Sequence, residues 1–250
     1  MKSFSIEIVP RTWDYLTEQF SAISSTFPLI DTLNVPDLLR FDIRSWEACS
    51  KAKPYFKTVI PHLRAIDFDL KTGFSLLQYL KEHAIQNVLV ITGDKPQEMN
   101  RKIYRNTSCE LIRLIKKELP AIKIYSSIDQ YRSGIRDEID YVHDKLEAGA
   151  DGFFTQPFFD LNFLKMYVDI LAGTEVYWGI SPVTSIQSKM YWESKNNAVF
   201  PSGFEPSLDW NINFAQRTID ILESVPSNVY FMPIRVSAVE YLGKVLNPKF

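Results

Sequence analysis

Short apolar runs rich in β-branched residues alternate along the chain with helix-like stretches. The runs are Phe4–Val9, Pro28–Leu33, Lys57–His62, Asn87–Thr92, Ala121–Ser126, Asp151–Gln156, Glu175–Ser181 and Asn228–Ile234. Eight strands alternating with helices predict a closed (β/α)8 TIM barrel, formed by residues 1–250 as one domain. In that architecture reactive groups sit at the C-terminal ends of the strands. Polar or ionisable residues interrupt or follow the runs: Glu7, Thr32, His62, Asp94, Gln156 and Arg235. They are therefore expected at the mouth of the barrel.

Between the runs, helices are predicted from Thr12 towards Ser25, over Thr72–His83, Asn100–Leu119, Ile135–Ala148 and Ile212–Glu223, with a further one around Ser45–Ala52. Ile103, Leu111, Ile112, Leu114 and Ile115 form the expected buried set of the third of these, and Pro120 closes it. Gly149 suits a left-handed helix cap. Val35 to Phe56 and Asn196 to Asp209 are irregular, and the first reads as a long loop on the catalytic face.

Composition narrows the class. With 46% hydrophobic residues the chain can fill a large core, and a formal charge of −2 gives no general surface for nucleic acid or anionic membrane. No apolar run approaches the roughly 20 residues of a membrane span. The chain enters a strand almost at once, which leaves no room for a signal peptide. Cys49 and Cys109 provide neither a disulfide framework nor a zinc pattern, and His62, His83 and His143 lack metal-ligand spacing. A cytoplasmic protein without a metal is expected. Oligomeric state is open, a homo-oligomer included.

Glu7 is the sharpest chemical candidate. A carboxyl in a barrel strand must face a polar site, pair with a cation or stay protonated. Desolvation would raise its pKa and suit it to donate a proton near neutrality. A structural ion pair with Arg11 or Lys57 is the competing reading. Gly93-Asp94 follows a strand: the glycine permits close backbone approach and Asp94 can accept hydrogen bonds, though Gly-Asp is also an ordinary turn. The Gln156 amide can read the edge of a heterocycle or cap a loop. Asp160 caps the next helix. His62 is either a ligand contact or a satisfied structural group. Lys145 either binds phosphate or complements a helix dipole. Trp192 stacks on a planar ligand or fills the core. Arg235 holds a carboxylate or makes a surface salt bridge. Phosphate-loop, dinucleotide-fold and serine-elbow signatures are absent from the sequence.

Four segments, in order, resemble the methylenetetrahydrofolate reductase family. Phe4-Ser-Ile-Glu7-Ile-Val-Pro10-Arg11 is similar to its opening strand, Ile91-Thr92-Gly93-Asp94 to its Leu-Arg-Gly-Asp segment, and Trp178-Gly-Ile-Ser-Pro-Val183 to its Pro-Gly-Ile-Xaa-Pro strand. The strongest match runs from Lys145 through Ala148-Gly149-Ala150-Asp151-Gly152 and Gln156 to Asp160. The resemblance implies a barrel in which reduced FAD, regenerated by NADH or NADPH, delivers hydride to 5,10-methylenetetrahydrofolate in ping-pong fashion. It implies Glu7 as general acid, Asp94 near flavin and pterin, and Gln156, Trp192 and Arg235 on the folate. Thr32, His62, Gly93, Asp94, Tyr104 and Lys145 fall at flavin-binding positions. The chain departs from the family at Thr92, where an arginine is usual, and at Tyr125-Ser-Ser-Ile-Asp-Gln130, where a Tyr-Pro-Glu-Gly-His-Pro segment is usual. These departures keep two alternatives open: a flavin-independent NAD(P)H-dependent relative, and a folate-binding barrel subunit without catalysis.

Overall fold

The computed structural model describes residues 2–94 and 102–246. Eight parallel strands close into a barrel in sequence order: β1 (Phe4–Glu7), β2 (Ile30–Val35), β3 (Thr58–Arg64), β4 (Asn87–Ile91), β5 (Lys123–Ile128), β6 (Gly152–Pro157), β7 (Val176–Ile180) and β8 (Asn228–Phe231). Helices α1 (Trp13–Thr26), α2 (Ser45–Ala52), α3 (Leu77–Glu82), α4 (Ser108–Glu118), α5 (Ile135–Ala148), α6 (Leu161–Ile170), α7 (Ile186–Asn196), α8 (Leu208–Glu223) and α9 (Ala238–Leu246) surround it. The (β/α)8 expectation is met. Among the described residues no helix is long and apolar enough to cross a membrane.

The helix ends follow local chemistry. Thr12 accepts from the Tyr15 amide to start α1, whose Leu16, Phe20 and Ile23 are buried. Thr107 and Glu110 form a reciprocal capping box on α4. Asp160 caps α6 through the Asn162 and Phe163 amides, as expected. Gly149 closes α5 in the left-handed region at φ 109°.

Two helices are shorter than predicted. Gly73 has φ 94° and separates a 3-10 turn from α3. The capping box holds the start of α4 at Ser108, so Ile103 lies ahead of the helix and is exposed rather than buried.

Strand boundaries shift in a way that matters. Turn hydrogen bonds from Ile30 N to Phe27 O and from Ile122 N to Leu119 O occupy the first residues of two predicted runs. Strands β2 and β5 therefore start and finish two residues late, and β3 continues to Arg64. Alternation preserves which residues face inward, but the residue at each mouth changes.

The barrel interior is an aromatic plug below a polar mouth. Ile60, Leu89, Tyr125, Phe154, Tyr177, Tyr230 and Met232 form one buried cluster. The Phe154 and Tyr177 rings stack at 4.2 Å, while Tyr125 and Tyr230 meet Phe154 edge-on. At the strand starts Lys123 pairs with Glu175 at 2.6 Å, and Glu175 also accepts from the Tyr125 hydroxyl at 2.8 Å. A second, larger core fills the space between strands and helices.

Candidate active site

Glu7 is the last residue of β1 and one wall of a 610 Å³ cleft at the mouth. Its partner is neither Arg11 nor Lys57. The Tyr230 hydroxyl donates to Glu7 Oε2, and among the described residues the carboxyl makes no ion pair. Burial raises the Glu7 pKa, with the Tyr230 hydrogen bond partly opposing it. Burial and the adjacent carboxyl hold Tyr230 protonated, so the phenol remains a donor.

His62 lies on β3 in the upper interior and is 6% exposed. Asn34 donates from Nδ2 to Ser5 Oγ, which leaves its Oδ1 facing His62 Nε2 at 3.3 Å. That arrangement assigns the imidazole hydrogen to Nε2 and leaves Nδ1 as an acceptor. Burial lowers the His62 pKa to about 3, so the ring is neutral. It can serve a ligand as a hydrogen-bonding group but not as a cation for phosphate.

Gly93 and Asp94 follow β4. Gly93 has φ 89°, a conformation strained for other residues. A Cβ there would meet Arg64 Nε at 2.8 Å and Arg64 Cβ at 2.9 Å. The Arg64 guanidinium instead crosses this gap and donates to the Asp94 carbonyl oxygen. It also lies 3.7 Å from Asp67, which is shared with Arg44, and Arg44 is bonded to buried Asp37. Asp94 itself is exposed, with its backbone held by this network.

The remaining candidates divide by location. Gln156 is partly exposed on the last turn of β6, and Gln130 reaches its carbonyl oxygen at 2.8 Å. Tyr104 docks its amide on Ile66 O at 2.8 Å beyond β3. Arg235 follows β8 in the left-handed region at φ 60° and lines the same cleft as Glu7. Trp192 is buried in a satellite cluster with Tyr131, Phe159, Val183 and Ala198, where it meets Phe159 edge-on.

Two expected positions are corrected. Thr32 lies in the lower half of the barrel, because β2 runs on to Val35, and its hydroxyl contacts Ser3, Asp31 and Tyr177. Asn34 takes its place at the mouth. Lys145 is 1% exposed behind β5, where its ammonium donates to Ser127 O at 2.6 Å and lies 3.8 Å from Glu138. Burial lowers its pKa to about 8, with Glu138 opposing the shift. Neither side chain opens towards the mouth.

Asn34, Arg64 and Tyr230 were missed by sequence reasoning. Asn34 and Arg64 each sit two residues from a position named from the sequence, Thr32 and His62, so strand alternation was the available signal, whereas Tyr230 lies within the eighth apolar run, where nothing in the sequence distinguishes it.

Comparison with known proteins adds family information. The family model described as Methylenetetrahydrofolate reductase matches residues 44–216. A 5,10-methylenetetrahydrofolate reductase from Pectobacterium carotovorum subsp. carotovorum is 25% identical over 155 residues, covering 60% of this chain and 52% of that protein. The chain thus spans about half the length of the curated relative it matches. Phosphonopyruvate hydrolase in complex with oxalate and Mg++ superposes with a TM-score of 0.56 at 10% identity, over 98% of this chain and 80% of the other. Oxaloacetate acetylhydrolase gives 0.55 at 11% identity, over 93% and 76%. At such identities these structures show the barrel fold alone.

Proposed function

The chain belongs to the methylenetetrahydrofolate reductase family, and from that premise we propose that it reduces 5,10-methylenetetrahydrofolate to 5-methyltetrahydrofolate at the expense of NADH or NADPH. The observation that carries the reading is Glu7, a carboxyl with a raised pKa, steadied by a neutral phenol at the edge of an open cleft. A protonated carboxyl there can give its proton to the folate ring nitrogen as the imidazolidine opens. Tyr230 fixes the direction from which that proton is delivered. Gln156 offers both donor and acceptor to a pterin edge, and Arg235 offers a fork to a carboxylate. Trp192 contributes from below by supporting Phe159, three residues after Gln156.

FAD, when bound, would supply the hydride. His62, Gly93, Asp94 and Tyr104 fit this role. The His62 ring is neutral and buried beside Asn34, and Gly93 follows β4 at a positive φ. Thr32 and Lys145 lie away from the mouth, and this favours a second reading in which nicotinamide transfers hydride to the folate directly.

A visible spectrum of the purified protein, FAD titration by fluorescence quenching and NAD(P)H oxidation with methylenetetrahydrofolate separate the readings. A yellow protein with folate-dependent oxidation supports the flavin route. A colourless protein that still oxidises NAD(P)H only when folate is present supports direct transfer. Absence of folate-dependent oxidation in either state would sink both.

A further inference from the structure

The top of β6 leaves the regular ladder where Gln156 stands. Pairing with β5 ends at Ile128 opposite Thr155. On the other side the register with β7 slips. Phe154 lies opposite Tyr177 and Pro157 opposite Gly179, so β6 carries one residue more than its partner. A bulge of this kind re-aims the side chains it carries and disrupts the ladder locally. Side chains supply substitute bonds. Thr155 Oγ1 accepts from the Gly179 amide at 2.9 Å. Gln130 donates from Nε2 to Gln156 O at 2.8 Å and to Pro157 O at 3.3 Å, and the Tyr131 hydroxyl donates to Pro157 O at 3.0 Å.

The bulge is gripped from both sides. Towards β7, a Cβ on Gly179 would meet Thr155 O at 2.7 Å and the Gln156 carbonyl carbon at 2.9 Å, so the segment fits because residue 179 has no side chain. Towards β5, Gln130 is buried and its own backbone is braced. The Asp129 carboxylate accepts from the Tyr131 amide at 3.2 Å, and the Asp129 amide donates to Glu138 of α5 at 3.1 Å. The two carbonyl acceptors fix the sense of the Gln130 amide, because the reverse placement would set its oxygen against theirs. The grip therefore needs a side chain of glutamine's length that ends in a donor.

We propose that Gln130 is the positioning residue for Gln156: by holding the carbonyl oxygens of Gln156 and Pro157 it fixes the bulged end of β6 and so sets the direction in which the Gln156 amide meets a ligand. The inference rests on the folate reading above, in which Gln156 reads the pterin edge, and adds the group that aims it. Gln130 contributes to recognition through Gln156 alone.

The test is a double-mutant cycle on tetrahydrofolate affinity, measured by calorimetry for the wild type, Gln130→Met, Gln156→Ala and the double variant. Methionine keeps the length of the side chain and loses its donors. Gln130→Met should weaken binding by about tenfold, the order expected when a ligand hydrogen bond is misplaced. It should add no loss in the Gln156→Ala background. Gln130→Asn keeps the amide on a stem one methylene shorter and should behave in the same way; it replaces Gln130→Met if melting curves show that methionine prevents folding. Tyr131→Phe leaves the bond to Gln156 O in place and should cost less. An equal loss from Gln130→Met in both backgrounds would make Gln130 merely structural and overturn the inference, as would an affinity unchanged by that variant.

A ligand-free readout separates this inference from the folate reading. The side-chain amide signals of Gln156 in a proton–nitrogen correlation spectrum, identified by their loss in Gln156→Ala, should move in Gln130→Met. If the wild type binds no tetrahydrofolate and the signals move, the folate reading falls and the positioning stands. If the signals stay in place, the positioning is overturned whatever the affinity.

Discussion

Arg64 occupies the space that a side chain at Gly93 would need: a Cβ on Gly93 would lie 2.8 Å from Arg64 Nε. The glycine therefore does two jobs, accepting φ 89° and admitting a buried guanidinium to the Asp94 carbonyl. Gly93→Ala should destabilise the protein by about 2–5 kcal/mol, combining backbone strain with overpacking. In an Arg64→Ala background the contact with Nε is relieved, while the 2.9 Å contact with the Cβ of residue 64 and the backbone strain remain. Urea unfolding of the four proteins in this cycle measures the coupling. Equal cost of Gly93→Ala in both backgrounds would refute the share of the steric cost assigned to the guanidinium.

Glu7→Gln should lower methylenetetrahydrofolate reduction by roughly 10²–10⁴, the usual worth of a positioned acid. If flavin carries the hydride, nicotinamide-to-flavin transfer should survive, because no proton reaches the folate nitrogen in that half-reaction. Stopped-flow measurement of each half gives the answer. Equal loss in both halves would mean that Glu7 is structural.

Tyr230→Phe probes the same pair from the other side. The phenol hydrogen bond lowers the Glu7 pKa against the effect of burial. Its removal should raise that pKa further and move the Glu7-dependent limb of the pH–rate profile to higher pH. A limb that stays in place, or moves down, would show that Glu7 does not set it.

His62 makes stability depend on acid. Its folded pKa is about 3 against an ordinary 6.5. Between these values the unfolded chain binds a proton that the folded chain refuses. The contribution is complete above pH 6.5 and is lost as pH falls towards 3. Glu7 works in the opposite sense: its folded pKa is raised above 4.5, so its contribution is present below that value and fades as pH rises through the folded pKa. His62→Gln should flatten the fall in stability on the acid side, measured by urea unfolding across pH 4 to 7. An unchanged slope would assign the acid sensitivity to other groups.

Lys145 and Glu138 are buried together at 3.8 Å, and Glu138 also accepts from Arg132 and from the Asp129 amide. Glu138→Gln removes the nearest counter-charge and leaves the buried ammonium with the Ser127 carbonyl and the Tyr141 ring. It should cost about 3–5 kcal/mol in unfolding free energy. Adding Lys145→Met should restore part of the loss. A double variant less stable than either single one would contradict the pairing.

The barrel was legible because strands and helices carry different hydrophobic periods, and Glu7 and Gln156 were legible because polar residues at strand ends are conspicuous. Thr32 and Ile103 were misjudged for one physical reason. Local hydrogen bonds, a turn after Phe27 and a capping box at Thr107, set the boundaries, and apolar periodicity does not register them. Lys145 failed differently: its sequence position gives the helix, but only the packed structure reveals that its ammonium turns to Ser127 and Glu138. The Arg64–Gly93 contact joins the end of β3 to the loop after β4 and left no trace in either segment alone.

The plug of Tyr125, Phe154, Tyr177 and Tyr230 makes the barrel a dead end. Tyr230 is both a ring of that plug and the donor to Glu7. Nothing can exchange with the carboxyl from below, so its traffic with bulk solvent runs through the mouth. On the proposed mechanism, the proton that Glu7 gives to the folate nitrogen therefore enters by the mouth, and the carboxyl is recharged by the same route.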